Sequence, residues 1–415
     1  VTSMSVTLSA TLAANEDIER RRRAGERVLN LAFGEAGLPV HPALRDRLVA
    51  ASGRNSYGPV AGAAELRAAA AGYWTRRGLL TDPDQVVCGP GSKALLYGLL
   101  LVIGGDIVLT KPSWVSYAAQ ADLVGSRAIM VPPPPGEGGV PDPDRVAQAV
   151  RQARSQGRDV RSVLVTLPDN PTGLLAPPGT IERLVRVARE LDLVIISDEI
   201  YRDLVHDPAE PYLSPAEPAP ERTVVTTGLS KSLALGGWRI GVARMPLEAM
   251  RRNMLAVASE IWSAPAAPVQ EAAAYAFAEP PELVERVARS RRLHGIVARN
   301  VHQRFIRAGI PVARPHGGFY MYPDFGYLGR GGSAEIAKIL LDEHGIGVLP
   351  GHAFGDDPQA ARVRVATSLL YGETAEQRLE ALEAGDPLQL PWIRDNLDFL
   401  SAGLMALTCD NRVFA

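Results

Sequence analysis

The chain has 415 residues, 46% hydrophobic and 22% charged, with a formal net charge of −2. That is ordinary globular composition, long enough for two domains, and the near-neutral balance argues against nucleic acid or an anionic membrane as partner. Two cysteines, Cys88 and Cys409, give neither a disulfide framework nor a zinc spacing, and the seven histidines form no metal motif.

The N-terminal stretch is polar and then charged at 19–23, unlike a secretory signal. The most apolar run, 94–103, is too short to span a bilayer. The expected location is the cytoplasm. Only four of the 44 basic residues are lysines: Lys93, Lys111, Lys231 and Lys338.

In chain order, the spacing predicts a helix over 15–27, whose consecutive arginines Arg20 to Arg23 are flanked by acids and read as a solvated face. A short strand follows at 29–33, ended by Gly34, then a rigid connector and a helix over 42–51. Residues 55–62 form a turn-rich loop carrying Tyr57, and an Ala-rich helix spans 63–77. Strands near 85–88, 106–109, 127–131, 162–167, 193–197, 223–227 and 240–243 then alternate with helices near 92–103, 117–123, 142–155 and 180–191. Such alternation predicts an α/β fold with a mostly parallel sheet covered on both faces. A long helical pattern at 282–307 leads to shorter strands at 319–322, 347–349 and 362–366. A helix over 333–344 carries Lys338 on its solvated side, and the tail at 388–407 has another apolar helical face. The expected organisation is a large domain over 48–289 and a smaller α+β domain built from both termini, 1–47 and 290–415.

In open α/β sheets, ligands bind beyond the carboxyl ends of the strands. The groups found there are distinctive. Gly91-Ser92-Lys93 opens a helix after one strand, and Pro112-Ser113-Trp114 follows the next. Asn170-Pro-Thr-Gly173, Asp198-Glu-Ile-Tyr201 and Ser230-Lys231 follow three more, with Arg239 two turns beyond the lysine. A neutral lysine forms Schiff bases with aldehydes, and a fixed guanidinium suits a phosphate dianion. Together they fit pyridoxal 5'-phosphate. Gly91, Ser92 and Lys93 offer a helix N-terminus to the phosphate. Trp114 offers a flat face for the ring, and Asp198 a partner for the ring nitrogen, which makes the ring an electron sink. Tyr201 and Asn170 can hydrogen-bond the ring hydroxylate, and Lys231 can bind the aldehyde and then act as general base. A dinucleotide fingerprint, Gly89-x-Gly91-x-x-Ala94 with Asp106, competes as a nicotinamide dehydrogenase. It leaves Lys231, Asn170 and Asp198 without roles, and Asp106 opens the next strand instead of ending it.

These motifs, with Tyr57 and Gly62…Glu65-Leu-Arg67, Gly317-Gly-Phe-Tyr320 and Val363-Arg364, resemble the class I/II aminotransferases of pyridoxal phosphate fold type I. The bacterial aspartate aminotransferases are the most similar subgroup, and the resemblance runs from about Ser9 to Leu382. It implies transfer of an amino group from an L-amino acid to a 2-oxo acid, with a lyase, an S-adenosylmethionine-using cyclase or an oxidase of the same fold as the alternative. It implies that Lys231 carries the cofactor and that Asp198, Tyr201, Asn170, Trp114, Ser230 and Arg239 hold it. Arg364 is implied to bind the substrate carboxylate, with Gly34 beside it and Asn170 and Trp114 also facing substrate. The match of Tyr57 implies a homodimer, since that tyrosine reaches the neighbouring subunit's phosphate. Lys93 and Ser9-Ala-Thr11 match groups that read a distal carboxylate; Lys93 could equally serve the phosphate. Departures stand at Gly228, at Glu35-Ala36-Gly37, at Asp169, over Thr367-Ser-Leu-Leu-Tyr-Gly372, and in a tail that extends past Leu382.

Overall fold

The structure is a computed structural model that describes residues 9–409. Its strands are β1 (Leu29–Asn30), β2 (Val86–Gly89), β3 (Asp106–Thr110), β4 (Ala128–Val131), β5 (Val160–Thr166), β6 (Val194–Asp198), β7 (Thr223–Gly228), β8 (Gly241–Arg244), β9 (Tyr320–Met321), β10 (Ile346–Gly347), β11 (Leu349–Pro350) and β12 (Val363–Ala366). Its helices are α1 (Ala10–Arg23), α2 (Pro42–Ala51), α3 (Ala64–Thr75), α4 (Ser92–Ile103), α5 (Val115–Leu123), α6 (Pro143–Ser155), α7 (Pro178–Glu190), α8 (Glu248–Ile261), α9 (Ala267–Phe277), α10 (Pro281–Arg307), α11 (Ser333–His344), α12 (Ala375–Glu383) and α13 (Pro391–Cys409).

Seven strands form one sheet in the order β2-β8-β7-β6-β5-β3-β4. Strand β8 runs antiparallel to both neighbours, and the other pairs are parallel. Successive side chains of a strand face opposite ways, so a sheet covered on both faces needs apolar residues at every position. Strand β5 shows this. Val163 and Val165 join the cluster that packs α6 and α7, whereas Leu164 joins that of α4, α5 and α8. Local chemistry starts the covering helices. Asp142 accepts from the N–H groups of Asp144 and Arg145, with Pro143 at the first helical position of α6.

The predicted strands of this sheet fall within two residues of those observed. Three differences have physical causes. Helix α1 ends at Arg23 because Gly25 takes φ +89, and its arginines pair with Asp17, Glu19, Glu26 and Asp342. Helices α8 and α9 occupy a stretch in which the sequence pattern predicts no element; α9 reads APVQEAAAYAF, where alanine at nearly half the positions blurs the helical period. The strand expected at 347–349 is two short strands, β10 pairing in parallel with β1 and β11 antiparallel with β12. Strands β11, β12 and β9 form a second sheet. Over it lies a separate core that joins Leu29, Leu31 and Leu38 to apolar residues of α10, α11 and α13. Among the described residues, no helix is long and apolar enough to cross a membrane.

Candidate active site

The parallel strands β3, β5, β6 and β7 end at one cleft of about 490 Å³, closed from the other side by β12 and the segment after β1. It is lined by Gly34, Ser92, Lys93, Trp114, Asn170, Asp198, Tyr201, Ser230, Lys231, Arg239 and Arg364, so eleven of the thirteen expected site residues meet there. The other two stand elsewhere. Gly91 lies one layer back, at the start of α4. Tyr57 is 93% exposed and does not line its own chain's cleft.

Most of the sheet-side groups stand at or just past a strand end. Helix α4 starts at Gly91 with φ +88 and no side-chain cap, which leaves its first N–H groups free. A side chain at Gly91 would collide with the Arg239 guanidinium, so glycine lets the arginine lie against the helix start. Arg239 is not two helical turns beyond Lys231. The chain makes a turn and a single 3-10 turn at Gly236–Trp238, and Arg239 then adopts a left-handed conformation, φ 54 and ψ 58. Lys231 donates its Nζ hydrogen to the Gly34 carbonyl at 2.7 Å.

Asp198 closes β6 and is 2% exposed. It accepts from the Tyr117 hydroxyl at 2.9 Å and from the Ile200 N–H at 3.3 Å. Burial pushes its carboxyl up to about 6 despite these bonds. Tyr117 also bonds Thr166 at 2.9 Å, and its ring meets Trp114 edge-on at 5.2 Å.

Arg364 on β12 is 1% exposed. It donates to Asn170 Oδ1 at 3.2 Å and to the Ala32 carbonyl, and its buried Nε has no partner. Its guanidinium sits 4.8 Å from the Tyr320 ring and 5.0 Å from that of Phe354. Burial lowers its pKa. Tyr320 bonds Tyr201 at 3.0 Å and the Gly34 carbonyl at 3.3 Å; a side chain at Gly34 would press on the Tyr320 ring at 3.0 Å. Lys93 is 5.0 Å over the Trp114 ring, and its pKa is lowered first by burial, then by Arg239 and Lys231. Among the described residues, no carboxylate pairs with Lys93, Lys231, Arg239 or Arg364. Four cations and one buried carboxylate therefore share a cleft, a balance that suits a ligand with several negative charges.

The roles of Tyr117 and Tyr320 were not read from the sequence, although both lie in the motifs quoted. The spacing of Tyr117, three residues after Trp114 and on the same helical face, was an available signal.

The model of the family "Aminotransferase class I and II" matches residues 26–382. The aspartate/prephenate aminotransferase of Thermus thermophilus is 33% identical over 390 residues, covering 90% of this chain and 94% of the relative. The aspartate aminotransferase of Geobacillus stearothermophilus is 32% identical over 390 residues, covering 90% and 96%. The solved structure of the aspartate aminotransferase of Thermus thermophilus with maleate superposes with a TM-score of 0.83 at 28% identity, over 97% of this chain and 100% of that one. The chain belongs to the class I and II aminotransferases. It is a pyridoxal phosphate-dependent enzyme that moves amino groups between amino acids and 2-oxo acids. The dehydrogenase reading is thereby set aside.

Proposed function

We propose that the enzyme takes an acidic L-amino acid as donor, bound by its α-carboxylate to Arg364. One observation carries the carboxylate assignment: a fully buried guanidinium with no acid partner and an unsatisfied Nε. Such a cation is costly unless a ligand supplies the anion, and a carboxylate meets the guanidinium fork with two parallel bonds.

The cleft fits the cofactor. Ser92, Ser230, Arg239 and the free N–H groups of α4 would hold its phosphate, with Gly91 giving the arginine room. Lys231 would hold its aldehyde carbon, Asp198 its ring nitrogen, Tyr201 and Asn170 its hydroxyl, and Trp114 its ring face. Bound there, pyridoxal phosphate supplies a sink for the electron pair left when an amino acid loses its Cα proton. The chain's residues do the rest. Arg364, oriented by Asn170, fixes the carboxylate and so the direction of the Cα–H bond. The Lys231 amine takes the Cα proton and returns it. Tyr117 and Ile200 hold Asp198 in place.

The acidic side chain falls to Lys93. Its ammonium is unpaired, the Thr11 hydroxyl at the same cleft is buried without a partner, and a relative of known structure carries maleate, a dicarboxylate. The neighbourhood of Arg239 favours a second reading, in which Lys93 neutralises the phosphate. Lys93→Ala decides. If Lys93 reads the side chain, the rate with aspartate falls about tenfold relative to a neutral amino acid while cofactor affinity holds. If the cofactor dissociates, or all donors suffer equally, the lysine belongs to the phosphate.

The exposed Tyr57 supports a symmetric homodimer in which this tyrosine completes the partner's phosphate site. A monomer in sedimentation that still turns over amino acids refutes this. The shared core of Leu29 to Leu38 with α10, α11 and α13 supports the division into a large domain and a small one built from both ends.

A further inference from the structure

Three stretches in which this chain departs from the motifs it otherwise follows meet behind Arg364. They are residues 35–37 after Gly34, residues 367–372 after β12, and α13, which lies past residue 382, the last matched by the family model. Ser368 donates its hydroxyl to the Glu35 carbonyl. Gly37 takes φ +67, and a side chain there would press on Leu369 at 3.1 Å and on the Ser368 carbonyl at 3.2 Å. Trp392, in the first turn of α13, donates its indole N–H to the Tyr371 carbonyl at 2.8 Å. The Tyr371 hydroxyl shares a 2.5 Å hydrogen bond with His294 Nδ1 on α10, and the second nitrogen of His294 pairs with Ser290 at 3.2 Å.

This chain of contacts runs back to the cleft. The His294 ring tilts on Phe319 at 5.1 Å, and Phe319 meets Tyr320, the ring under Arg364, at 4.7 Å. Segment 367–372 is tied at both ends. Thr367 donates to the Phe319 carbonyl at 2.9 Å, and at the far end the Gly372 carbonyl accepts from Arg378 Nε at 2.8 Å. Tyr371 and His294 are fully buried, where a hydroxyl and an imidazole keep their mutual bond because no water offers another. Burial holds His294 down to about 3, so the pair stays neutral across ordinary pH.

We propose that Tyr371 is a positioning residue for the substrate-carboxylate site: held by His294 and Trp392, it keeps segment 367–372 pressed on residues 34–37 and so fixes the Gly34 wall and the Arg364 guanidinium. The inference rests on the reading of Arg364 as the carboxylate group. Tyr371 itself does not line the cleft.

The test uses the holoenzyme and the variants Tyr371→Phe and Trp392→Phe, with Arg364→Lys as reference. KM and kcat are measured for aspartate and phenylalanine, which share the α-amino and α-carboxylate end and differ beyond Cβ. Calorimetry gives the Kd of maleate and of 3-phenylpropionate, carboxylates with no amino group to react. Tyr371→Phe and Trp392→Phe should each raise KM for both donors and Kd for the carboxylates about tenfold, with kcat within about twofold and the cofactor's visible absorbance unchanged. The double variant should do little more than either alone, because both act through one segment. Unchanged KM and Kd with a lowered Tm overturn the proposal and leave Tyr371 a packing residue. Should Tyr371→Phe not fold, Trp392→Phe on the outer helix carries the same prediction and the same refutation. If Arg364→Lys leaves carboxylate binding intact, the carboxylate reading falls and this inference with it. If Arg364→Lys abolishes binding and the other two variants do not, the positioning inference alone falls.

Discussion

The two sides of the cleft are built on different principles. On the sheet side, Asp198 closes a strand and Lys93, Trp114, Asn170 and Lys231 each follow one by a few residues; all but the strand before Lys93 belong to a parallel ladder buried on both faces. On the other side, Arg364 depends on segments far apart in sequence: Ala32, Asn170, Tyr320 and, through Tyr371, His294 and Trp392. A group at a strand end inherits its place from the sheet. A group on the Arg364 side is held by side-chain packing and single hydrogen bonds between remote elements. The first arrangement resists change, and the second, where three of this chain's five departures lie, can be adjusted one contact at a time.

Breaking the sheet side should cost most. Lys231→Ala removes nucleophile and base together and should lower turnover by about 10³-fold or more, with loss of visible cofactor absorbance. Thermal unfolding of the cofactor-free protein should be little changed, because Lys231 makes one hydrogen bond, to the Gly34 carbonyl. A large fall in Tm would show that the sheet side also needs its ligand residues for folding, and would undo the contrast. The Arg364 side should respond in smaller steps, as the tenfold effects expected of Tyr371→Phe and Trp392→Phe.

The smallest effect sharpens the boundary. Asp169 follows β5, next to Asn170, and burial pushes its carboxyl up to about 7 although Thr172 donates to it through both hydroxyl and N–H. Its folded pKa lies above the unfolded value, so the native state binds more protons between about pH 4 and 7, and stability falls as pH rises through that window. Asp169→Asn keeps an acceptor for Thr172 and removes the buried charge. It should stabilise the protein at pH 8 by on the order of 1–3 kcal/mol and leave it unchanged at pH 4. Urea unfolding at the two pH values checks this, and an equal shift at both removes the charge as its cause.

The legible part of the molecule was the part with local grammar. The alternation of strand and helix gave the sheet, and the turn after each strand gave the chemical groups at the cleft, because strand, turn and helix start lie within about ten residues of each other. What escaped was set by distance in sequence or by bland composition. The split of 346–350 into two strands depends on partners at Leu29 and Arg364 that no local pattern names. The bond from Trp392 to Tyr371 and the stacking of Tyr320 under Arg364 are products of the completed fold. Tyr57 was legible as a loop residue, and its exposure became visible only in three dimensions.

All but four of the 44 basic residues are arginine, and two of the four lysines face the cleft. Arginine keeps its proton at any pH a protein meets and so makes a poor nucleophile. A surface rich in arginine gives solubility and ion pairs without offering amines that condense with aldehydes. Lys338 is tied to Asp342 and Lys111 precedes a proline. An aldehyde reaching this chain therefore meets few competing side-chain amines, and its chemistry is directed to the cleft by what the rest of the surface leaves out.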